Sequence, residues 1–280
     1  MRGRYQYRLL ALMILAAIAA GALVVGPVVA RALRTTQQAC LGPSDAGVVS
    51  VGQGMSSGVV ALTARPGASE TTPISVRMVN VPASDAAVGT VWISGPGATP
   101  TPLHRRGAGC WAGSVRPSVL TGAEVRLASG SSARPYVRFA LPLHPVSGAR
   151  LIALAGRYSR RVAGVREVTY ARGSTSARLQ VVISMYAGST VVSHSSLGTQ
   201  RVLWPGWRTG FEWITPGIAA SVVLGTTTFA GQQVTQVAGA VVRTPLWMVL
   251  DIVPGTGQVL WDSMSGPNHL MTNRFAIVTH

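Results

Sequence analysis

The chain has 280 residues, 48% of them hydrophobic and only 11% charged, and its 24 basic residues outnumber 8 acidic ones for a net charge of +16. This length suits one large domain or two ordinary ones, and the hydrophobic content excludes a chain too polar to bury a core. Every basic residue is Arg. A GC-rich genome explains Arg in place of Lys but not the scarcity of acids. The excess therefore indicates an anionic partner or an acidic environment.

The N-terminus has the pattern of an exported protein. Arg2, Arg4 and Arg8 precede residues 9–30, which contain no charged or strongly polar side chain. As a helix this run is about 33 Å long, enough to cross a hydrocarbon core of roughly 30 Å. We expect residues 1–34 to form a cytoplasmic tip and a retained membrane anchor, which places the body outside the cytoplasm. Ala30 and Ala32 also fit a signal-peptidase site, and cleavage there would give a secreted protein.

The two cysteines, Cys40 and Cys110, both follow the apolar run. An even number of cysteines in an exported chain predicts one disulfide, here between these two.

Beyond residue 40 the hydrophobic pattern is that of a β protein. Residues 177–186, for example, alternate apolar and polar side chains, and Pro-Gly pairs punctuate the candidate strands. We expect strands at 59–63, 73–81, 88–94, 123–127, 136–141, 150–155, 165–170, 177–186, 199–204, 210–214, 220–229, 233–242, 246–252, 258–261 and 274–278. The predicted fold is mostly β, with the N-terminal transmembrane or signal helix followed by one or two β-sandwich-like domains. A small polar stretch at 128–135 predicts a boundary between a β region at 35–130, which holds the disulfide, and a larger domain at 131–280.

No pattern of a catalytic site emerges. The eight acids are isolated in sequence, so nothing local predicts a carboxylate pair. Residues 54–58 match G-x-S-x-G with Ser56 at the centre, but a nucleophile elbow needs a helix after the serine, and a candidate strand follows here. We assign no catalytic residue.

His269 and Met271 form the one candidate metal pair. They are two residues apart on a candidate strand and so share a face. Imidazole with thioether suits copper, although both cysteines are distant and two ligands make a short motif. We therefore predict no cofactor, with copper as the alternative.

The most unusual feature is the clustering of arginines. One group is Arg105 and Arg106, and the second comprises Arg157, Arg160, Arg161 and Arg166. Guanidinium groups bind phosphate and carboxylate oxygens in a bidentate manner, so these clusters indicate a binding surface or a solvated loop. Trp207 is the candidate exposed aromatic of a local Trp and Phe group.

Together these patterns predict a non-enzymatic accessory or assembly subunit of an envelope complex, anchored in the membrane and binding through basic and aromatic surface. Its partners would be an envelope protein or anionic lipid, and export argues against nucleic acid. The first alternative is a copper-handling or redox-linked subunit of a membrane oxidoreductase, and the second is an envelope hydrolase.

Overall fold

A computed structural model describes residues 40–55, 58–67, 69–79, 90–129, 132–161, 164–173, 178–186, 190–195, 198–203, 217–242, 244–266 and 269–277. These residues are mostly in β-strands of antiparallel sheets, which confirms the predicted β class. Residues 39–280 form one compact unit. The boundary near residues 128–135 stays a prediction.

The first sheet has eight antiparallel strands in the order β1-β2-β3-β6-β5-β4-β7-β8. The strands are β1 (Val49–Met55), β2 (Gly58–Ala64), β3 (Thr72–Val79), β4 (Thr90–Ser94), β5 (Thr101–Gly107), β6 (Cys110–Val115), β7 (Ala123–Ser129) and β8 (Ser132–Phe139). A 3-10 helix at Pro117–Gly122 connects β6 to β7.

The second sheet has nine antiparallel strands in the order β12-β11-β10-β9-β17-β16-β15-β14-β13. They are β9 (Gly164–Gly173), β10 (Arg178–Tyr186), β11 (Thr190–Ser195), β12 (Gly198–Leu203), β13 (Ile218–Phe229), β14 (Gln232–Val241), β15 (Leu246–Ile252), β16 (Val259–Gly266) and β17 (His269–Ile277). Among the described residues, the α-helix α1 (Ala149–Ser159) lies between the two sheets in sequence.

The strand β2 shows how the sheets pack, because all seven of its residues are buried. Val60 and Leu62 belong to the main core, which collects side chains from all eight strands of the first sheet. Val59 and Ala61 alternate with them and pack instead with Ala240 and Trp247 of the second sheet. Alternation along a strand sends neighbours to opposite faces, so β2 is covered on both.

Hydrogen bonds from β1 also connect the two sheets. The indole N–H of Trp247 donates to Ser50 Oγ at 2.9 Å, and the backbone N–H of Gly54 donates to Ser265 Oγ at 2.9 Å. Ser50 is itself fully buried and shares a hydrogen bond with Thr63 Oγ1 at 2.9 Å. The buried hydroxyls are therefore satisfied across the interface between the sheets.

The helix α1 corrects one strand prediction. Residues 150–155 were expected in a strand, but they lie in α1, whose buried residues are Ile152, Ala155, Gly156 and Ser159. These spacings of three, one and three residues are helical and cover one face. That face packs on a second core with residues of β14, β15 and β16. Six residues were too short a window to separate a period of 3.6 from a period of 2.

The predicted disulfide is confirmed. Cys40 and Cys110 are bonded, with their Cα atoms 6.4 Å apart and a separation of 70 positions in sequence. The bond attaches the start of the described chain to the first residue of β6. Next to it, the backbone N–H of Leu41 donates to Ser75 Oγ at 3.0 Å.

Within the described residues no helix is long and apolar enough to cross a membrane. The predicted anchor at residues 9–30 lies outside the described residues.

Candidate binding surface

The first basic group lies on β5, where His104, Arg105 and Arg106 are three consecutive exposed residues. Arg105 is opposite Trp111 of β6, and its guanidinium lies 6.0 Å from the centroid of the Trp111 ring. Its Nε also donates to the carbonyl of Gly107 at 3.4 Å. The cation–π contact and this hydrogen bond hold the guanidinium in place while leaving it open to an anion.

Two buried donors, on β6 and on β3, have no acceptor among the described atoms. One is the Nε1–H of Trp111, a fully buried residue, and the other is an NH2 group of Arg77. Arg77 pairs with Cys110 on the neighbouring strand. Burial lowers the pKa of the Arg77 guanidinium, and the charge of Asp45 partly opposes that shift. Buried donors of this kind are usually satisfied, so each would donate to a carbonyl or anionic oxygen brought within reach.

The second basic group is on and just after α1. Arg157, Arg160 and Arg161 are all exposed, as is Arg150 in the first turn of the helix. Arg166 is on β9, where its backbone pairs with Ser184 and Ala276. Sequence reasoning missed Arg150 as a site residue, although its spacing of seven residues from Arg157 was a helical signal.

Two acids, Glu124 and Asp45, bind arginines outside β5 and α1. Glu124 accepts hydrogen bonds from Arg126 at 2.6 Å and from Arg138 at 3.1 Å. These hydrogen bonds lower the pKa of Glu124, and the bond from Arg126 has the larger effect. Asp45 forms a looser ion pair with Arg65 at 3.6 Å. Neither carboxylate neutralises the arginines of β5 or α1.

Two further acids, Asp251 and Asp262, are buried in adjacent strands β15 and β16. Asp251 lies opposite Trp261, whereas Asp262 lies opposite Leu250. Directly opposed residues share a face and neighbours along a strand do not, so the two carboxyls point to opposite faces of the sheet. They therefore do not form the carboxylate pair of a glycosidase.

Burial raises the pKa of Asp251, and the hydrogen bond donated by Gln236 opposes the shift. The distance from Gln236 Nε2 to Asp251 Oδ1 is 2.9 Å.

The G-x-S-x-G match at residues 54–58 includes the end of β1 and the start of β2. β1 ends at Met55 and β2 begins at Gly58, and these two residues pair with each other. A nucleophile elbow needs a helix after the serine, so this context does not fit one. Ser56 itself lies outside the described residues.

The candidate copper pair lies on one strand, as expected. His269 and Met271 are on β17, where Met271 pairs with Met264, which in turn pairs with Met248. Met248 and Met264 are buried in the core under α1. Among the described residues, no three His, Cys, Asp or Glu side chains are grouped to hold a metal ion. Trp207 lies outside the described residues.

No protein-family model and no curated protein matches this chain. Among solved structures it is similar to a DUF1329 family protein from Desulfovibrio piger, with 7% sequence identity over 46% of this chain and 90% of that one, and a TM-score of 0.23. A similarity of this size carries no inference about function.

Proposed function

We propose that this protein is a membrane-anchored extracytoplasmic β protein of sandwich-like architecture that acts as a non-enzymatic accessory subunit of an envelope complex. It binds an anionic partner through exposed arginines. The observation that carries the proposal is the group at Arg105 and Arg106, two adjacent exposed guanidiniums with no salt bridge in the described part of the chain.

The packing of Arg105 supports a binding role. Its guanidinium lies over Trp111 while the side chain remains exposed, so part of its rotamer entropy is lost before any partner arrives. A preorganised guanidinium loses less freedom on binding than a mobile one does.

The disulfide supports the location. Disulfides such as Cys40–Cys110 form and persist mainly in oxidising compartments, outside the cytoplasm. The Arg-flanked apolar run at residues 9–30 points the same way.

The test is a double substitution, Arg105→Ala with Arg106→Ala, in the full chain purified from membranes. The double variant should co-purify much less of the envelope partner than the wild type does. In the wild type, co-purification should also weaken as salt is added, because salt screens exposed charges. Thermal unfolding should change by less than about 1 kcal/mol. The matched control is Arg65→Ala with Arg138→Ala, since both of these exposed arginines already pair with acids.

Substitutions of the carboxylates test the hydrolase alternative. If a single substitution of Glu167, Glu212, Asp251 or Asp262 abolished function while the association survived, the hydrolase alternative would replace the binding proposal.

The row of methionines favours copper handling as the second candidate. Met248, Met264 and Met271 occupy directly paired positions on three adjacent strands, with His269 two residues from Met271. Thioethers suit Cu(I). Titration of the purified chain with Cu(I) under a competing chelator tests this candidate, with His269→Ala and Met271→Leu as variants. Binding that both variants leave unchanged would rule out the pair as ligands.

A further inference from the structure

The helix α1 has two distinct faces. Ile152, Ala155, Gly156 and Ser159 form its buried face. Arg150, Arg157 and Arg161 are exposed and separated by seven and four residues. At 100° per residue the three lie within about 40° of one another, opposite the buried face. The spiral continues to Arg161, whose backbone N–H donates to the carbonyl of Tyr158 at 2.9 Å. We call these three residues the arginine row.

Helix stability does not explain the whole row. Arg157 and Arg161 lie near the C-terminal end, where the helix dipole favours cations, but Arg150 is the second residue of the helix, where the dipole disfavours them. The first turn contains no acidic residue to compensate. Arg157 and Arg161 are also four residues apart, a spacing at which like charges repel.

No described residue of this chain forms a salt bridge with the arginine row. A second copy of the chain is also not a suitable partner. The salt bridges made by Arg65, Arg126 and Arg138 involve none of the three arginines of the row. Two copies of a chain with a net charge of +16 repel each other. The partner is therefore an anion of a different kind.

The segment leading into α1 adds an apolar component. Leu143 is 48% exposed and Val146 is 63% exposed, and they are the exposed large hydrophobic residues of the described chain. This segment is fixed along the edge strand β13, because the carbonyl of Val146 accepts from the N–H of Val223 at 2.8 Å. The two aliphatic side chains are thus held at the surface, only a few residues before Arg150.

A basic helix face that closely follows exposed aliphatic side chains in the chain is typical of contact with an anionic bilayer. The guanidiniums bind lipid phosphates, and the aliphatic groups enter the boundary between headgroups and acyl chains. A nucleic acid or an acidic protein loop would use the arginines and leave Leu143 and Val146 in water.

We propose that the arginine row, with Leu143 and Val146, docks the body onto the surface of a membrane that contains anionic phospholipid. The inference rests on the proposed function only in that the body must lie outside the cytoplasm beside the membrane. It names a second binding face, separate from Arg105 and Arg106, so the two proposals can fail independently.

The test uses the full chain reconstituted in vesicles, with an environment-sensitive fluorophore on Ala153→Cys. Ala153 is exposed on α1, and neither native cysteine is free among the described residues. In vesicles containing phosphatidylglycerol, a quencher carried by the lipid should reach the fluorophore, and this quenching should fall as salt is added. In phosphatidylcholine vesicles the N-terminal segment can still insert, but the quenching should be absent.

Three variants check the residues. The triple variant R150Q/R157Q/R161Q should reduce quenching to the level in phosphatidylcholine, with each arginine worth about fivefold in the ratio of docked to undocked protein. The control R65Q/R116Q/R138Q removes the same charge from exposed positions elsewhere and should keep full quenching. L143S/V146S should lower quenching at every salt concentration. Circular dichroism checks that α1 is intact. If the triple variant misfolds, the single variant Arg150→Gln serves instead and should lower the ratio of docked to undocked protein about fivefold.

Three results would overturn the inference. They are equal quenching in both kinds of vesicle, an equal loss in the control variant, and quenching that an acidic peptide abolishes at constant ionic strength while lipid composition has no effect. The last would assign the row to an acidic protein. None of these results would affect the association tested through Arg105 and Arg106.

Discussion

Trp247 determines how closely the two sheets approach at one residue, Gly52. A Cβ atom on Gly52 would lie 2.6 Å from Cβ of Trp247, and the Trp247 ring is fixed by its hydrogen bond to Ser50. Gly52→Ala should therefore lower the free energy of unfolding by about 1–3 kcal/mol, the usual cost of overpacking. Urea unfolding measures it.

The control is Gly67→Ala, since a Cβ at Gly67 has no heavy atom within 4 Å. Its stability should stay within about 1 kcal/mol of the wild type. Equal losses in both variants would show that Gly52 is not packed against Trp247.

Asp251 should make stability depend on pH in the direction opposite to most acids. Because burial raises its pKa, the folded state holds the proton more tightly than the unfolded state does. The stabilisation that the protonated Asp251 gives to the folded state is complete below the unfolded pKa of about 3.9. It is lost as the pH rises through the higher folded pKa. Asp251→Asn carries no charge, so it should be more stable than the wild type at pH 7 and similar to it at pH 4.

Urea unfolding at both pH values tests this, with the exposed Glu70→Gln as the control. If Asp251→Asn were less stable than the wild type at pH 7, the ionised carboxylate would have a partner that stabilises it.

At the scale of elements, the hairpin between β13 and β14 contains a strained residue. Phe229 pairs with Gln232, so Ala230 and Gly231 form a two-residue turn, with φ angles of 48° and 80°. A type I′ turn needs positive φ at both positions and prefers Asn-Gly. Ala230→Asn should therefore raise stability by about 1 kcal/mol, because an alanine pays about 1–2 kcal/mol in this region.

Thermal unfolding of the Ala230→Asn variant measures the gain. The matched control is Ala46→Asn, because Ala46 is also exposed and also precedes a glycine of positive φ, Gly47, but does not itself have a positive φ. A gain of the same size in the control would attribute the effect to the side chain and not to the turn.

Strands with clear alternation or a strong apolar run could be predicted from the sequence. Residues 246–252 coincide with β15, and residues 177–186 differ from β10 by one residue. β5 was missed because Leu103 is its one buried side chain and three exposed residues follow it. β6 was missed because small residues, Ala112 and Gly113, occupy its middle. β1 also escaped prediction, since its two glycines weaken a strand pattern.

The same limit applies to the candidate site. Two pairs of arginines are adjacent in sequence, Arg105 with Arg106 and Arg160 with Arg161. Their clustering could therefore be predicted without knowledge of the fold. Arg150 joins the arginine row only once α1 is a helix, because in a strand it would have no relation to Arg157 or Arg161. The wrong secondary structure at 150–155 therefore concealed one member of the surface.

At the scale of the whole molecule, both proposed binding faces require the body to lie outside the cytoplasm. The disulfide and the apolar run at residues 9–30 support that location. Both proposed binding faces need it, since an envelope partner and an outer lipid surface are accessible only from there.

A reporter enzyme fused after His280 tests this claim most directly. An alkaline phosphatase fusion, which needs an oxidising compartment to form its own disulfides, should be active, whereas a fluorescent fusion that matures only in the cytoplasm should be dark. Replacing Arg2, Arg4 and Arg8 by acidic residues should reduce the phosphatase activity by weakening the orientation signal. An inactive phosphatase fusion together with a bright fluorescent fusion would show that the body lies in the cytoplasm. The arginine excess would then indicate a cytoplasmic partner such as nucleic acid.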